Sequence, residues 1–308
     1  MKSDALPQNK PVDLPAFNKW GVFAATVTIV LWASAFAGIR VGLESYSPYS
    51  LALLRYLVAS VVLAIYTVAI RAPLPDWRDL PFLTLMGFLG FSVYNVALNA
   101  GEDPVNGVSA GVASFIIASA PVYIALLSYL FLNERLTAWG WVGIVVSFIG
   151  VTLVSFATDE GFRVNGRALL ILVAAMAQAL YTTYQRPYLR KYGALRFTTY
   201  AIWTGTALML VYLPGLVQDF NGATAEATWA IVYMGVFPGA IGYVCWSYVL
   251  SKLSPSVAGS FLYLIPAVAV LIAWLWLGEV PGLLAIVGGV VIVAGVVIVN
   301  RLGRVATR

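Results

Sequence analysis

Residues 114–121 read SFIIASAP and residues 260–266 read SFLYLIP. Thirteen residues after Pro121 comes Glu134, and thirteen after Pro266 comes Glu279. Gly143 and Gly150 follow the first glutamate at the same steps as Gly288 and Gly295 follow the second. One offset of 145 residues (266 − 121) relates all four pairs. The chain therefore holds an internal duplication of nearly half its length. A duplicated chain with a proline inside an apolar run of each copy has the plan of a secondary transporter, whose substrate site lies between the repeats.

Composition identifies the solvent. Of the 308 residues 61% are hydrophobic and 10% charged, and the mean hydropathy is +0.88. Soluble domains carry about 25% charged residues. Runs 21–39, 51–70, 168–184 and 283–300 are almost free of charge, close to the roughly 20 residues a helix needs to span the hydrocarbon. The alternating ten-residue pattern of a membrane β-barrel is absent. The pattern predicts an all-α integral membrane protein with ten spans: 20–43, 48–70, 79–99, 106–131, 137–157, 166–187, 195–214, 227–250, 255–277 and 281–300.

Residues 1–18 contain Pro7, Pro11 and Pro15 and no apolar core, so they read as a disordered cytoplasmic tail and not as a signal peptide. With the N-terminus inside, fourteen of the 18 Lys and Arg residues fall in inner segments; Arg40, Arg163 and Arg167 lie outside and Arg55 within a span. That bias fixes orientation by the positive-inside rule, with both termini cytoplasmic. It also accounts for the +5 net charge without a nucleic-acid partner. Five spans per copy is an odd number, so the second copy is inverted. The expected organisation is a first five-helix repeat over 19–157, an outer linker over 158–165, a second inverted repeat over 166–301 and a short cytoplasmic tail over 302–308.

What is missing narrows the chemistry. There is no histidine and one cysteine, Cys245, which excludes a histidine proton relay and an internal disulfide, and no metal or other cofactor is expected. The thirteen acids fall in the N-terminal tail, in predicted loops or, for Asp79, at the first residue of a span, with Glu102 and Asp103 among those outside, so no carboxylate is expected at mid-membrane. Ion-driven carriers usually bury one, and the expectation is facilitated diffusion. No nucleotide-binding or hydrolase motif is present, and an intramembrane enzyme or a channel is the weaker alternative.

The paired proline–glutamate motifs, the glycines after them, LWASAF at 31–36 and LALLRYLVAS at 51–60 resemble the drug/metabolite transporter superfamily, EamA type, over about residues 20–300. The resemblance implies ten helices in two inverted five-helix repeats and export of small metabolites. The aromatic richness of the presumed cavity is similar to the branch that exports aromatic and other amino acids. A nucleoside or sugar derivative is the alternative substrate.

Candidate site residues follow from polarity and spacing. Asn95, Asn99, Ser114, Gln178, Tyr181 and Ser260 are polar groups deep in spans; Trp32, Phe36, Tyr243, Trp246 and Tyr263 are aromatics beside them. Trp32 and Phe36 share a helix face at i, i+4. Together they suit a small zwitterion; singly, each serves equally well as interhelical glue or packing. Pro121 and Pro266 interrupt backbone hydrogen bonding and, with Pro238 and Gly239 in the eighth span, are hinge candidates. Gly87 and Gly90 soften the third span in the same way. Arg55 is either an anchor for an anionic group in an outer vestibule or a snorkelling side chain. Gly143–Ser147 and Ala285–Gly289 are small-residue pairs that read as scaffold, and Trp20, Trp77, Trp139, Trp141, Trp229 and Trp276 as interfacial belt. Expected partners are the lipid bilayer and an amino-acid-like substrate, the chain acting as a monomer or weak homo-oligomer.

Overall fold

The computed structural model of the protein describes residues 19–103, 113, 116–132, 136–156, 166–277 and 282–303. Among them every regular element is helical. We number these α1 (Lys19–Leu43), α2 (Pro48–Ala69), α3 (Trp77–Gly101), α4 (Ala120–Phe131), α5 (Ala138–Phe156), α6 (Gly166–Tyr184), α7 (Arg186–Tyr192), α8 (Ala194–Gly222), α9 (Ala225–Lys252), α10 (255–277) and α11 (Leu283–Leu302). α1, α2, α3, α6, α8 and α9 are each long and apolar enough to cross a membrane, and shorter apolar helices lie in α4, α5, α10 and α11. Large apolar side chains face outward along them, such as Ile65, Val211 and Val290, as a lipid solvent permits.

Local chemistry sets the helix starts. Ser47 caps α2 by accepting from the Ser50 N–H, with Pro48 in the first turn, where its missing donor is not needed. Thr224 caps α9 by accepting from Ala227. Two expected boundaries move. The hydropathy pattern ends the seventh span at Pro214, but α8 continues to Gly222. A 3₁₀ turn at Leu210–Tyr212 puts Pro214 in the first turn of a fresh helical segment, so it breaks no hydrogen bond. The sixth span ends at Tyr184, and the basic residues after it form the separate short helix α7, with Pro187 in its first turn.

Packing follows the duplication. α1 lies on α9 and α10, as α6 lies on α3 and α4; α2 lies on α8 and α9, and α3 on α8 as well. α4 meets α10, and α5 meets α11 in the most extensive helix pair of the molecule. Each contact thus has a counterpart in which the copies exchange roles. A Cβ on Gly143 would stand 2.8 Å from the Gly295 carbonyl, and one on Gly150 2.8 Å from that of Gly288. α5 and α11 therefore touch backbone to backbone. Within α11 this contact runs through Gly288, Ile292 and Gly295, whereas Gly289 meets only Ala267 at 3.8 Å. Tyr263, Ala125, Ile144, Ile292 and Val299 form a small core under this pair, separate from the main one.

Candidate functional site

Among the described residues α3 and α9 are the two helices that widen in mid-span. Each passes from α to π geometry, at Phe88–Val93 and Gly235–Gly242. Pro238 explains part of the second break, since it cannot donate. Close approach constrains both: a Cβ on Gly87 would be 2.4 Å from the Ala201 carbonyl, and one on Gly235 2.6 Å from that of Arg55. The widened turns are read by neighbouring side chains. Trp32 Nε1 donates to the Pro238 carbonyl at 3.2 Å and Thr28 Oγ1 to that of Gly242 at 3.3 Å.

α4 and α10 are interrupted just before their prolines. Pro121 sits in the first turn of α4, and Pro266 follows the 3₁₀ turn Phe261–Tyr263. Between these breaks lies a cavity of about 30 Å³ lined by Trp32, Phe36, Tyr94, Ile117, Ala118 and Ala120 from the first copy and by Gln178, Leu262, Ile265 and Pro266 from the second. A water needs roughly 10–15 Å³, so the space has room for about two. Gln178 Oε1 is buried there without a hydrogen-bond partner among the described residues.

An aromatic cluster adjoins it. Trp32 stands 4.8 Å from Tyr243 and 5.6 Å from Trp246 by ring centroids. Tyr243 in turn lies 4.7 Å from Phe91 and 6.2 Å from Tyr181. Phe91 and Tyr56, which sequence reading passed over, belong to this wall; nothing in the local sequence sets them apart from ordinary core residues.

The remaining candidates distribute as follows. Asn95 is wholly buried, accepting from Arg55 Nη1 at 3.3 Å and donating to Tyr56 Oη at 2.9 Å and the Phe91 carbonyl at 3.0 Å. Asn99 donates to the Pro48 carbonyl, tying α3 to the start of α2. Ser260 donates to the Val257 carbonyl in its own helix. Tyr263 packs under α5 and α11, away from the cavity. Ser114, Glu134 and Glu279 lie outside the described residues. Arg55 corrects an expectation: at 4% exposure it occupies no open vestibule and does not snorkel. Asn95 and the Tyr56 ring, 5.5 Å from the guanidinium, hold it inside the bundle, and its Nε has no partner among the described residues.

A second correction concerns the acids. Glu102, one residue past the end of α3, is 6% exposed and not in an open loop. Both carboxylate oxygens are without a hydrogen-bond partner among the described residues. α6 covers this end: Gly101 is pressed against Ile171, and Arg167 donates to the Ala100 carbonyl at 3.1 Å. Burial pushes the Glu102 carboxyl up to about 8, while the positive charge of Arg40 pulls the other way. At the opposite end of α3, Asp79 accepts from Lys191 and Tyr192. Among the described residues no group of Cys, Asp and Glu side chains comes together to hold a metal ion.

With this geometry in view, known proteins agree closely. A protein of Bacillus subtilis named uncharacterized transporter YdfC is 44% identical over 285 residues, 91% of this chain and 92% of its own. A protein of Streptantibioticus cattleyicolor, named a probable terminal-alkyne amino-acid exporter, is 43% identical over 92% of this chain and 95% of its own. A crystal structure superposes with a TM-score of 0.75 at 17% identity, over 92% of this chain and 97% of that one; at that identity it speaks to the fold alone. The relatives bear the names of transporters, consistent with a protein that is not an enzyme. The model of the EamA-like transporter family matches twice, over residues 19–156 and 166–301, and this multi-pass membrane protein belongs to that family.

Proposed function

We propose that the protein exports small amino-acid-like metabolites, aromatic ones among them, across the bacterial inner membrane by alternating access between two inverted five-helix repeats, with both termini in the cytoplasm. One observation carries this reading: the central cavity is lined by both repeats at the breaks of α4 and α10 and beside those of α3 and α9. A site built where four helices are interrupted changes shape when the repeats rock against each other. The 43% identical relative named an amino-acid exporter supports the substrate class.

The cavity offers what a zwitterion needs. Trp32, Phe36 and Tyr94 are apolar walls, and their faces attract an ammonium by about 0.5–2 kcal/mol. Gln178 Oε1 is a free acceptor for the same group. Arg55, buried among neutral partners, is the cation available to a carboxylate once the bundle opens. A charged arginine in the bilayer costs about 2.5–3.5 kcal/mol on insertion scales, which a carboxylate ligand would offset.

Counterflow in proteoliposomes tests the reading. Labelled phenylalanine, threonine and an alkyne-bearing amino acid should each exchange saturably, and Arg55→Gln should reduce all of them at least tenfold. Saturable exchange of nucleosides or sugars alone would replace the substrate class, and ohmic, unsaturable flux would make the protein a channel.

A further inference from the structure

We propose that Glu102 is a proton-binding site that couples the conformational cycle to a proton gradient. The inference rests on the carrier reading above and adds a coupling ion to it.

The argument starts from the two oxygens. A buried carboxyl with no donor aimed at it is stable only in its neutral form, because ionising it there costs several kcal/mol or more. Glu102 meets both conditions: it is 6% exposed, next to the end of α3 that packs on α6, and no described side chain or N–H satisfies it. The titratable and charged groups on the elements around it are Arg40 on α1, Arg55 and Tyr56 on α2, Tyr94 on α3 itself, and Arg167 and Tyr181 on α6, with Asp103 next along the chain. Arg167 is engaged with the Ala100 carbonyl and Arg55 with Asn95. Of these, Arg40 is the charge felt at Glu102, and it favours the carboxylate. Burial wins in this state, and the carboxyl stays protonated up to about pH 8.

Opening this end lets water reach the carboxyl and returns it to the ordinary range near 4.5. At neutral pH the O–H bond then breaks, the proton passes to water, and the carboxylate remains beside Arg40. Closing reverses the step. Proton occupancy and closure are thereby linked, and the linkage is reciprocal. Tyr94 relates the site to the substrate path: it lines the central cavity and stands on the same helix, α3, that leads to Glu102. When the cavity opens to the other face, the same carboxyl gains a route to water on that face.

Two measurements on the full chain in liposomes decide the matter. Infrared difference titration needs no substrate. Wild type should show one carboxyl losing its proton near pH 8, and Glu102→Gln should lack it. A wild-type difference that titrates in the ordinary carboxylate range overturns the proposal. The second measurement uses labelled L-phenylalanine under a gradient of one pH unit. A one-to-one coupled carrier accumulates label up to about tenfold. Glu102→Gln should reach only the equilibrium ratio while still exchanging label at symmetrical pH, and Glu102→Asp should keep the response. Accumulation by Glu102→Gln equal to wild type overturns the proposal. Absence of phenylalanine exchange in wild type counts against the amino-acid reading, and the infrared titration still decides the role of Glu102.

Discussion

α3 and α9 occupy matching places in the two copies and differ most at their ends. Both break in mid-span into a π turn, both start that turn at a glycine-constrained crossing, and both line the aromatic wall. α3 ends in Glu102, buried and without a partner. α9 ends in Lys252, half-buried, with its ammonium 5.6 Å from the Tyr248 ring centroid. The break is common to both copies and belongs to the mechanics of the bundle. The charge differs, and it gives the two ends different responses to pH.

The largest expected effect lies at the α3 end. Glu102 keeps its proton up to about pH 8 in the closed bundle and ionises near 4.5 when exposed. The folded state therefore binds the extra proton between those values. Folding stability falls as pH rises from about 4.5 to about 8 and is level on either side. One pKa unit is about 1.36 kcal/mol, so the change amounts to several kcal/mol at most. The apparent melting temperature of detergent-solubilised wild type should fall across this window, and that of Glu102→Gln should not. Parallel curves for the two proteins would make the ends of α3 and α9 equivalent.

The shared breaks come next. Gly87→Ala and Gly235→Ala each drive a methyl group into a backbone carbonyl of a neighbouring helix, an overpacking that costs about 1–3 kcal/mol. Both should lower the apparent melting temperature, and Gly222→Ala, where a Cβ meets nothing within 4 Å, should leave it unchanged. If only one of the first pair is destabilised, the two crossings are not mechanically alike.

How much of this was legible in the sequence depends on the kind of feature. Spans, the duplication and the glycine-rich breaks at 87–90 and 235–242 show because hydropathy and spacing are local. The form of the breaks does not: π geometry arises from packing against α2 and α8, which single positions do not encode. Glu102 stands in a polar link, GEDPVN, that reads as a loop; its burial depends on α6, some 70 residues onward. Arg55 was placed at the outer edge by its distance from the span end, and Asn95 and Tyr56 bring it inward. Tyr263 reads as a cavity aromatic because it stands beside the deep polar Ser260, but the 3₁₀ turn at Phe261–Tyr263 belongs to a helix whose far side meets α5 and α11.

Pro238 separates the two π turns further, since the turn in α3 forms without a proline. Pro238→Ala should therefore keep its π turn, held by Gly235 against α2 and by Trp32 at the carbonyl of residue 238. The restored N–H adds a competing α-helical hydrogen bond of about 1 kcal/mol, which favours the straightened form and should slow exchange several-fold with little change in melting temperature. An unchanged rate would leave Pro238 as a static element of packing.

The smallest effect is expected at Lys252. Its ammonium reaches the helix surface, and its contact with Tyr248 is worth about 0.5–1 kcal/mol at an exposed site. It lies in the last turn of α9, where a cation also meets the negative end of the helix dipole, at about 0.3–1 kcal/mol. Lys252→Gln loses both terms but uncovers no charge, because the group it leaves is neutral. Melting temperature should drop slightly, and the response of transport to a pH gradient should match wild type. If Lys252→Gln alters that response as strongly as Glu102→Gln does, proton coupling is distributed over both ends of the bundle, and the buried carboxyl at the end of α3 is not its seat.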